Sequence, residues 1–292
     1  MEEMFGFLKV VINTSTPILF ATLGILLMHL SGVLNIGAEG MMLMGAFSGM
    51  AGTYLFGNVW YGALFGMAIT GLMGLVFAFF TITMKANQTV VGVAFNILSI
   101  GLTTTLYRML FGIGGSTPQL TGFRPAAAGL TLPVYMGIGT VLLLTFFLYK
   151  TKPGLKIRAA GENPRAVDSM GLSVPGIRYA GTVAGSMLIG FGGVYLSMGI
   201  LSFFSEEMVT GRGYIALAAV IFGRYTAVGS LLAVLVFGVG EAFVYRLQAI
   251  GSGIPTQFIL MIPYVLTVII VAGFGKKSNE PEALGQPYEK AR

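Results

Sequence analysis

The chain has 292 residues, of which 55% are hydrophobic and only 10% are charged. Soluble domains carry about 25% charged residues, so an ordinary water-soluble enzyme is excluded and a helical membrane protein is indicated. The absence of cysteine and the single histidine, His29, exclude disulfides and any metal site built from several His or Cys ligands. In such a chain the net charge of +6 reports orientation in a bilayer and does not indicate nucleic-acid binding.

Apolar segments long enough to cross a bilayer, about 20 residues each, define the predicted elements. Nine candidates follow one another: 8–30, 40–57, 59–84, 89–111, 133–149, 177–200, 208–223, 227–247 and 257–274. The seventh is short and contains Gly211 and Gly213. The sequence therefore predicts an all-α polytopic membrane protein with about nine transmembrane helices, within a range of eight to ten.

A long basic connection, 150–176, divides the predicted transmembrane domain 1–277 into halves at about 8–111 and 177–274. The positive-inside rule places this connection in the cytoplasm and the amino terminus outside. The halves then run in opposite directions, which is typical of an inverted repeat, although any even division of nine helices can look similar. Residues 278–292 have little apolar content and predict a loose cytoplasmic tail.

Polar residues and glycines interrupt the apolar pattern between the first two predicted spans. Asn35, Gly37 and Glu39 fall in this break, and Asn87 lies in the short polar turn 85–89 expected on the same side. Non-helical backbone near a membrane survives only where protein or water satisfies it, so a cavity-lining turn is expected. We interpret the four residues as a cytoplasmic gate; the alternative is that they only cap helix ends.

Polar groups inside the later spans point to a pathway. Asn96, Ser99 and Thr103 follow one another along the fourth predicted helix, and Glu241 lies in the eighth. Polar and ionisable groups are costly in lipid, so they usually face a pathway or another helix. These four residues are candidates for lining the route of an uncharged polar solute, or they tie helices together.

The basic connection contains a short predicted helix. Asn163 is a good N-cap, Pro164 suits the first helical position, and Gly171 suits the exit. A helix of about two turns is unstable alone and needs a surface on which to dock. Three residues give it a small apolar face: Ala166, Val167 and Met170. That surface is either a partner protein, which we favour, or the chain's own membrane domain.

No nucleotide-binding motif accompanies this helix. The segment 273–278 has glycines and lysines, but a phosphate-binding loop needs Ser or Thr where Lys277 stands and a glycine where Ile270 stands. We therefore expect this chain to bind no cofactor, and ATP with its Mg²⁺ to belong to a partner.

Three runs of sequence carry a family resemblance: Gly32–Gly40, Ala160–Ala166 and Gly211–Ile221. Together they resemble the permease subunits of bacterial ABC importers, in the nucleoside branch related to ribose, galactose and branched-chain amino-acid permeases. The ending 262–267, followed by 283–285 and 287–288, is similar to the same branch, and the likeness covers nearly the whole chain in order.

The resemblance implies a type II importer in the bacterial cell membrane. Its partners are a second permease chain, usually a different one, a cytoplasmic ABC ATPase, and an extracellular lipid-anchored solute-binding protein. By the same resemblance the loop carries the coupling helix that the ATPase grips, with these residues: Gly161, Glu162, Asn163, Pro164, Arg165, Ala166, Val167, Asp168 and Met170. Related importers commonly have ten spans, one more than the nine counted.

The expected function is inward movement of a nucleoside by alternating access, with no covalent chemistry in this chain. Sugars and branched-chain amino acids are the alternative solutes. An ion-driven secondary transporter is the alternative of another class, and it needs acidic residues at mid-membrane, for which Glu39 and Glu241 are the candidates. A membrane enzyme needs clustered acid, base or metal ligands, which the sequence does not offer.

Overall fold

The computed structural model describes residues 2–112, 119–126, 129–250 and 279–289, together with the isolated positions 258, 261 and 265. These residues form ten α-helices: α1 (Glu2–Leu30), α2 (Ala38–Phe56), α3 (Val59–Ala78), α4 (Gln88–Phe111), α5 (Leu132–Lys150), α6 (Lys152–Glu162), α7 (Pro164–Ser169), α8 (Val174–Tyr195), α9 (Arg212–Phe222) and α10 (Ala227–Ile250). Two π-helical segments, Phe79–Thr83 and Leu196–Leu201, continue α3 and α8. The expected helical architecture is confirmed.

Within the described part of the chain, six helices are long and apolar enough to cross a membrane: α1, α3, α4, α5, α8 and α10. The predicted count of about nine is therefore not confirmed. The seventh candidate becomes α9, whose 11 residues span only about 16 Å. In α2, Glu39 and several glycines lower the mean hydropathy, and the ninth candidate, 257–274, falls almost entirely outside the described residues.

The long helix α1 forms the centre of the bundle. Its apolar window is 83% buried, against 28% for α4, and it packs on α8, α9 and α10. A side chain on Gly24 would overlap the backbone of Gly185, so α1 and α8 approach each other at glycines. Ser31 lies near Gly181 and Pro17 near Gly192, which makes α1 and α8 antiparallel.

The helix α2 begins inside the bundle. A side chain on Gly193 would meet the Met42 carbonyl, and one on Gly45 would meet Gly190. The first turns of α2 therefore lie against the interior of the 28-residue span Val174–Leu201, away from its ends. The segment 31–37 that leads into α2 is non-helical backbone buried in protein, which is the condition under which such backbone is tolerated in a membrane.

The short helix α9 begins at the same depth and runs the other way. A side chain on Gly213 would collide with the Glu39 backbone, which places the first turn of α9 beside the first turn of α2. Beyond the other end of α9, the Tyr225 ring lies 6.1 Å from the ring of His29, near the end of α1. The helices α2 and α9 are therefore half-helices that start together inside the bundle.

The helices α6 and α7 form a small subdomain at the end of α1. The predicted cap is confirmed: the Asn163 side chain accepts a hydrogen bond from the Ala166 amide at 3.1 Å, with Pro164 in the first turn. Gly171 follows with a φ of +76°, as a helix exit requires. Three buried residues form its core: Ala160, Val167 and Val174.

The end of the described chain, 279–289, folds back onto this subdomain. Ala283 is 7% exposed, and its amide donates to the Gly161 carbonyl at 2.9 Å. The expectation of a loose tail is wrong for these residues, because backbone hydrogen bonds fix a segment of low apolar content as firmly as apolar burial does. Side-chain composition gives no signal for backbone hydrogen bonds, so the sequence does not predict this contact.

Candidate functional site

The junction between the two half-helices is organised by Glu39. Its carboxylate accepts hydrogen bonds from the backbone amides of Gly211 and Gly213, each at 2.7 Å. These amides belong to the first turn of α9, where the helix dipole favours a negative charge. One side chain in the first turn of α2 therefore caps α9, and the two half-helices are joined at their amino-terminal ends.

Asn96 ties the same junction to α4. Its side-chain oxygen accepts from the Gly40 amide at 2.8 Å, and its Nδ2 donates to the Ile36 carbonyl at 3.1 Å and to the Tyr214 hydroxyl at 2.9 Å. Asn96 thus bonds the turn before α2, the start of α2, and α9. Its side chain is 6% exposed, so it serves as an internal brace in this chain.

Asn35 is buried in the turn before α2. Its backbone N–H donates to His29 Nε2 at 3.3 Å, and its side-chain Nδ2 contacts the sulfurs of Met28 and Met41 at 3.3 Å each. Gly37 lies against Gly92 of α4. The structure therefore places Asn35 and Gly37 in the protein interior, beside the junction, and their role as a gate stays a prediction.

A buried ion pair lies next to the junction. Arg212 Nε is 3.1 Å from Glu241 Oε1, and the two side chains are 13% and 10% exposed. The Arg212 guanidinium also donates to Thr210 Oγ1 at 2.9 Å and to the Tyr245 hydroxyl at 3.3 Å. The ion pair with Glu241 gives Arg212 a buried partner on α10.

The remaining path candidates also face inward. Ser99 and Thr103 are no more than 1% exposed, and Thr103 donates to the Ser99 carbonyl at 2.7 Å. A side chain on Gly40 would meet the Ser99 hydroxyl, so this face of α4 packs on α2. The alternative that these groups help join helices describes what the structure shows of them, and direct contact with a solute stays a prediction.

The remaining gate candidate, Asn87, caps α4. Its side chain accepts from the amides of Thr89 and Val90 at 3.0 and 3.1 Å, and the preceding turn residue Lys85 has a φ of +54°. The structure separates Asn87 from the buried junction. It does bring the turn 85–89 close to the break after α1, because Gln88 Oε1 accepts from the Leu34 amide at 2.6 Å.

The predicted coupling helix presents two different faces. Val167 is 1% exposed and packs on Ala160 and Val174, whereas Ala166 is exposed and Met170 is 65% exposed. The alternative that the helix rests on the chain's own domain describes its inner face, and docking of a partner on the exposed outer face stays a prediction. Arg165 is exposed as well.

Among the described residues no group of three or more His, Asp or Glu side chains is placed to hold a metal ion. What the structure does show is two half-helices that meet at one carboxylate, that of Glu39. Such broken helices in opposed halves are typical of transporters that alternate access.

Comparison with known proteins agrees with this geometry. Residues 7–271 match the family described as branched-chain amino acid transport system / permease component. The chain is a member of this permease family. The resemblance drawn from the three sequence runs is thereby confirmed, and the permease is a multi-pass membrane protein.

Three curated relatives span nearly the full length of the permease. The guanosine ABC transporter permease protein NupQ of Bacillus subtilis is 34% identical over 95% of this chain and 94% of its own. The nucleoside ABC transporter permease protein NupC of Lactococcus lactis is 32% identical over 95% of each. The putative glucose ABC transporter permease protein TsgC13 of Haloferax volcanii is 34% identical over 99% of each.

Sequence reasoning missed several residues of the site. The sequence assigns no role to Arg212 and Tyr214, although both lie within the run Gly211–Ile221 that resembles the family. Gly211 carried the available signal: its φ of +86° favours glycine, and a glycine before an apolar run suggests a helix start away from a span end.

Proposed function

We propose that the permease is the membrane subunit of an ATP-driven importer that moves nucleosides inward by alternating access. The full-length similarity to the guanosine and nucleoside permeases, at 34% and 32% identity, carries this proposal. The chain performs no covalent chemistry, binds no cofactor and leaves ATP and Mg²⁺ to a separate ATPase subunit.

The second permease subunit is a different chain. Two organisms each supply two relatives of unequal similarity: in Bacillus subtilis, NupQ at 34% and the guanosine permease NupP at 22%; in Lactococcus lactis, NupC at 32% and the nucleoside permease NupB at 21%. This pairing supports a heterodimer in which the permease takes the NupQ-like place. An extracellular lipid-anchored binding protein delivers the solute, and the assembly lies in the bacterial cell membrane.

The open face of α7 is the docking surface for the ATPase. Met170 and Arg165 are exposed at the end of the molecule where basic residues gather, the side that the positive-inside rule assigns to the cytoplasm. Movement of α7 during ATP hydrolysis then opens and closes the turn before α2, where Asn35, Gly37 and Glu39 form the inner closure. Asn87 shapes the neighbouring turn.

The pathway follows the inner face of α4. Asn96, Ser99 and Thr103 form its polar stripe, and Glu241 on α10 joins it through its ion pair with Arg212 at the start of α9. In the described conformation the side chains on α4 are buried, with Asn96 and Ser99 against the start of α2, as expected of a closed pathway. Separation of α2 from α4 exposes them to the solute.

A hexose is the second candidate solute. The Haloferax volcanii relative is named as a putative glucose permease and is 34% identical to this chain, the same identity as the guanosine permease. Identity therefore does not separate the two solutes, although two nucleoside-named relatives at 32–34% outweigh one named for glucose.

Reconstitution of the complete importer tests the proposal. Proteoliposomes containing both permeases, the ATPase and the binding protein are supplied with internal or external ATP and labelled guanosine or glucose. We expect ATP-dependent uptake of guanosine and none of glucose. Uptake of glucose alone selects the hexose candidate, and uptake driven by an ion gradient without the ATPase overturns the importer proposal.

A substitution on α7 tests the docking surface. Met170→Asp places a charge on the exposed apolar contact, so we expect ATP-dependent uptake to fall about tenfold or more, as for a disrupted interface anchor. Met170→Leu is the matched control and is expected to retain uptake. Uptake unchanged in Met170→Asp, with the complex assembled, contradicts the docking role.

A further inference from the structure

The segment Asn279–Glu289, here called the strap, binds the coupling subdomain through its backbone. The Ala283 amide donates to the Gly161 carbonyl at 2.9 Å, and the Glu282 amide donates to Glu162 Oε2 at 3.0 Å. Pro281 and Ala283 are buried. These contacts fix the strap to the end of α6, directly before α7.

The same strap binds the break that follows α1. The Gly285 amide donates to the Gly32 carbonyl at 3.2 Å, and Gly285 lies against the Leu34 side chain. Leu284 packs on the main hydrophobic core. The strap therefore reaches the non-helical backbone that leads into α2 and the Glu39 junction.

Arg178 also binds the strap. This side chain of α8 is 2% exposed, and its Nη1 donates to the Gln286 carbonyl at 2.8 Å. Among the described residues, its Nε and Nη2 find no hydrogen-bond acceptor. A buried guanidinium with few partners is costly, so loss of the Gln286 carbonyl leaves Arg178 still less satisfied. Release of the strap from Arg178 therefore costs free energy.

The last residues of the strap contact α7 and the turn 85–89. Tyr288 packs on the core of the coupling subdomain, and its hydroxyl hydrogen-bonds Asp168. Glu289 Oε1 lies 2.9 Å from Lys85 Nζ, and this hydrogen bond lowers the pKa of Glu289. Both side chains are exposed, so this ion pair is weak alone.

We propose that the strap transmits the movement of α7 to the break after α1 and so positions the inner closure of the pathway. This inference rests on the proposed importer function. Backbone hydrogen bonds at Ala283 and Gly285, two residues apart, connect the coupling subdomain and the break directly. A short segment that is bonded through its backbone to two elements forms a contiguous physical link between them.

Release of the strap in the complete importer tests the inference. Ala283→Asp puts a charged side chain into a buried position, and a second variant ends the chain after Ser278. We expect ATP hydrolysis by the assembled complex to persist while nucleoside uptake falls about tenfold, which is the range of a typical coupling between two sites. Gln286→Ala is the matched control: among the described residues the Gln286 side chain bonds within the strap, to the Glu282 carbonyl, and the backbone contact of Gln286 to Arg178 is kept.

The release itself is measured independently of transport. The chain has no cysteine, so a spin label on Pro287→Cys, an exposed position, reports the mobility of the strap. We expect the label to become mobile in Ala283→Asp and to stay immobile in Gln286→Ala.

The outcomes separate the inference from the function on which it rests. Wild-type complex that takes up no nucleoside overturns the proposed function. If wild type transports and a mobile strap leaves uptake per ATP unchanged, the inference falls while the importer stands. Failure of both strap variants to assemble also overturns it, because the strap is then an element of folding.

Discussion

At the scale of one residue, Glu39 joins two half-helices because its two carboxylate oxygens accept hydrogen bonds from two different backbone amides. The carboxylate accepts from Gly211 and Gly213 at 2.7 Å each, and no neutral side chain of the same size offers two acceptor oxygens. Its value lies in satisfying donors that the start of α9 would otherwise leave unpaired inside the protein.

Replacement of Glu39 by Gln tests this role. The Gln side chain keeps one acceptor oxygen and places its NH₂ group against the second backbone N–H donor, which is left without an acceptor. We therefore expect a loss of about 1–3 kcal/mol in the free energy of unfolding. Thermal unfolding of the purified chain in detergent measures it. Glu207→Gln is the matched control, since Glu207 is exposed and is expected to change nothing.

The Arg212–Glu241 pair makes a different prediction. Arg212→Met leaves a buried carboxylate without its cation, which costs about 3–5 kcal/mol when a buried pair is broken. The double variant Arg212→Met, Glu241→Leu removes both charges and should recover most of that loss. A double variant as unstable as the single one would show that the pair is not the source of the effect.

At the scale of elements, the molecule is organised by two half-helices. Their meeting point depends on Gly213, where a side chain would collide with the Glu39 backbone. Because α2 and α9 both begin at this contact, a change in the distance between Gly213 and Glu39 displaces both half-helices.

A bulky residue at Gly213 should therefore separate the half-helices. We expect Gly213→Val to destabilise the chain by about 1–3 kcal/mol, the usual cost of overpacking a dense interior, and to abolish uptake. Gly139→Val is the control in a helix, because a side chain at Gly139 meets open space. Equal stability of the two variants in thermal unfolding contradicts the close approach.

The sequence predicts which segments are helical better than it predicts how deep in the bundle each helix begins. Hydropathy located α1, α3, α4, α5, α8 and α10, and capping chemistry located α7 at Asn163 and Pro164, because both signals are local. The depth of α2 and α9 depends on long-range contacts such as Gly213 with Glu39, which no local pattern carries. The strap was missed for the same reason: its bonds use backbone groups of residues far apart in sequence.

At the scale of the whole molecule, basic residues lie at both ends of the bundle. Lys85, Arg158 and Arg224 lie near the strap and the coupling subdomain, whereas Arg246 pairs with Glu3 at 3.2 Å near the start of α1. The positive-inside rule assigns the end with the coupling subdomain to the cytoplasm, and this orientation stays a prediction.

Labelling of single cysteines in intact cells tests that orientation. Lys156→Cys on α6 and Glu207→Cys in the loop before α9 lie at exposed positions on opposite ends of the predicted topology. A membrane-impermeant maleimide should label only Glu207→Cys in intact cells and both after lysis. Labelling of Lys156→Cys in intact cells would invert the topology and remove the ATPase from its proposed surface.

The burial of α1 has a consequence for biogenesis. A ribosome makes α1 well over a hundred residues before α8, the helix whose glycines it packs against, so during synthesis the most enclosed of the six candidate spans lies in lipid without this neighbour. Its buried Thr14, Thr22 and His29 are meanwhile unshielded. The bundle closes only when the second half arrives, so a chain interrupted before α8 leaves α1 without the glycines against which it packs.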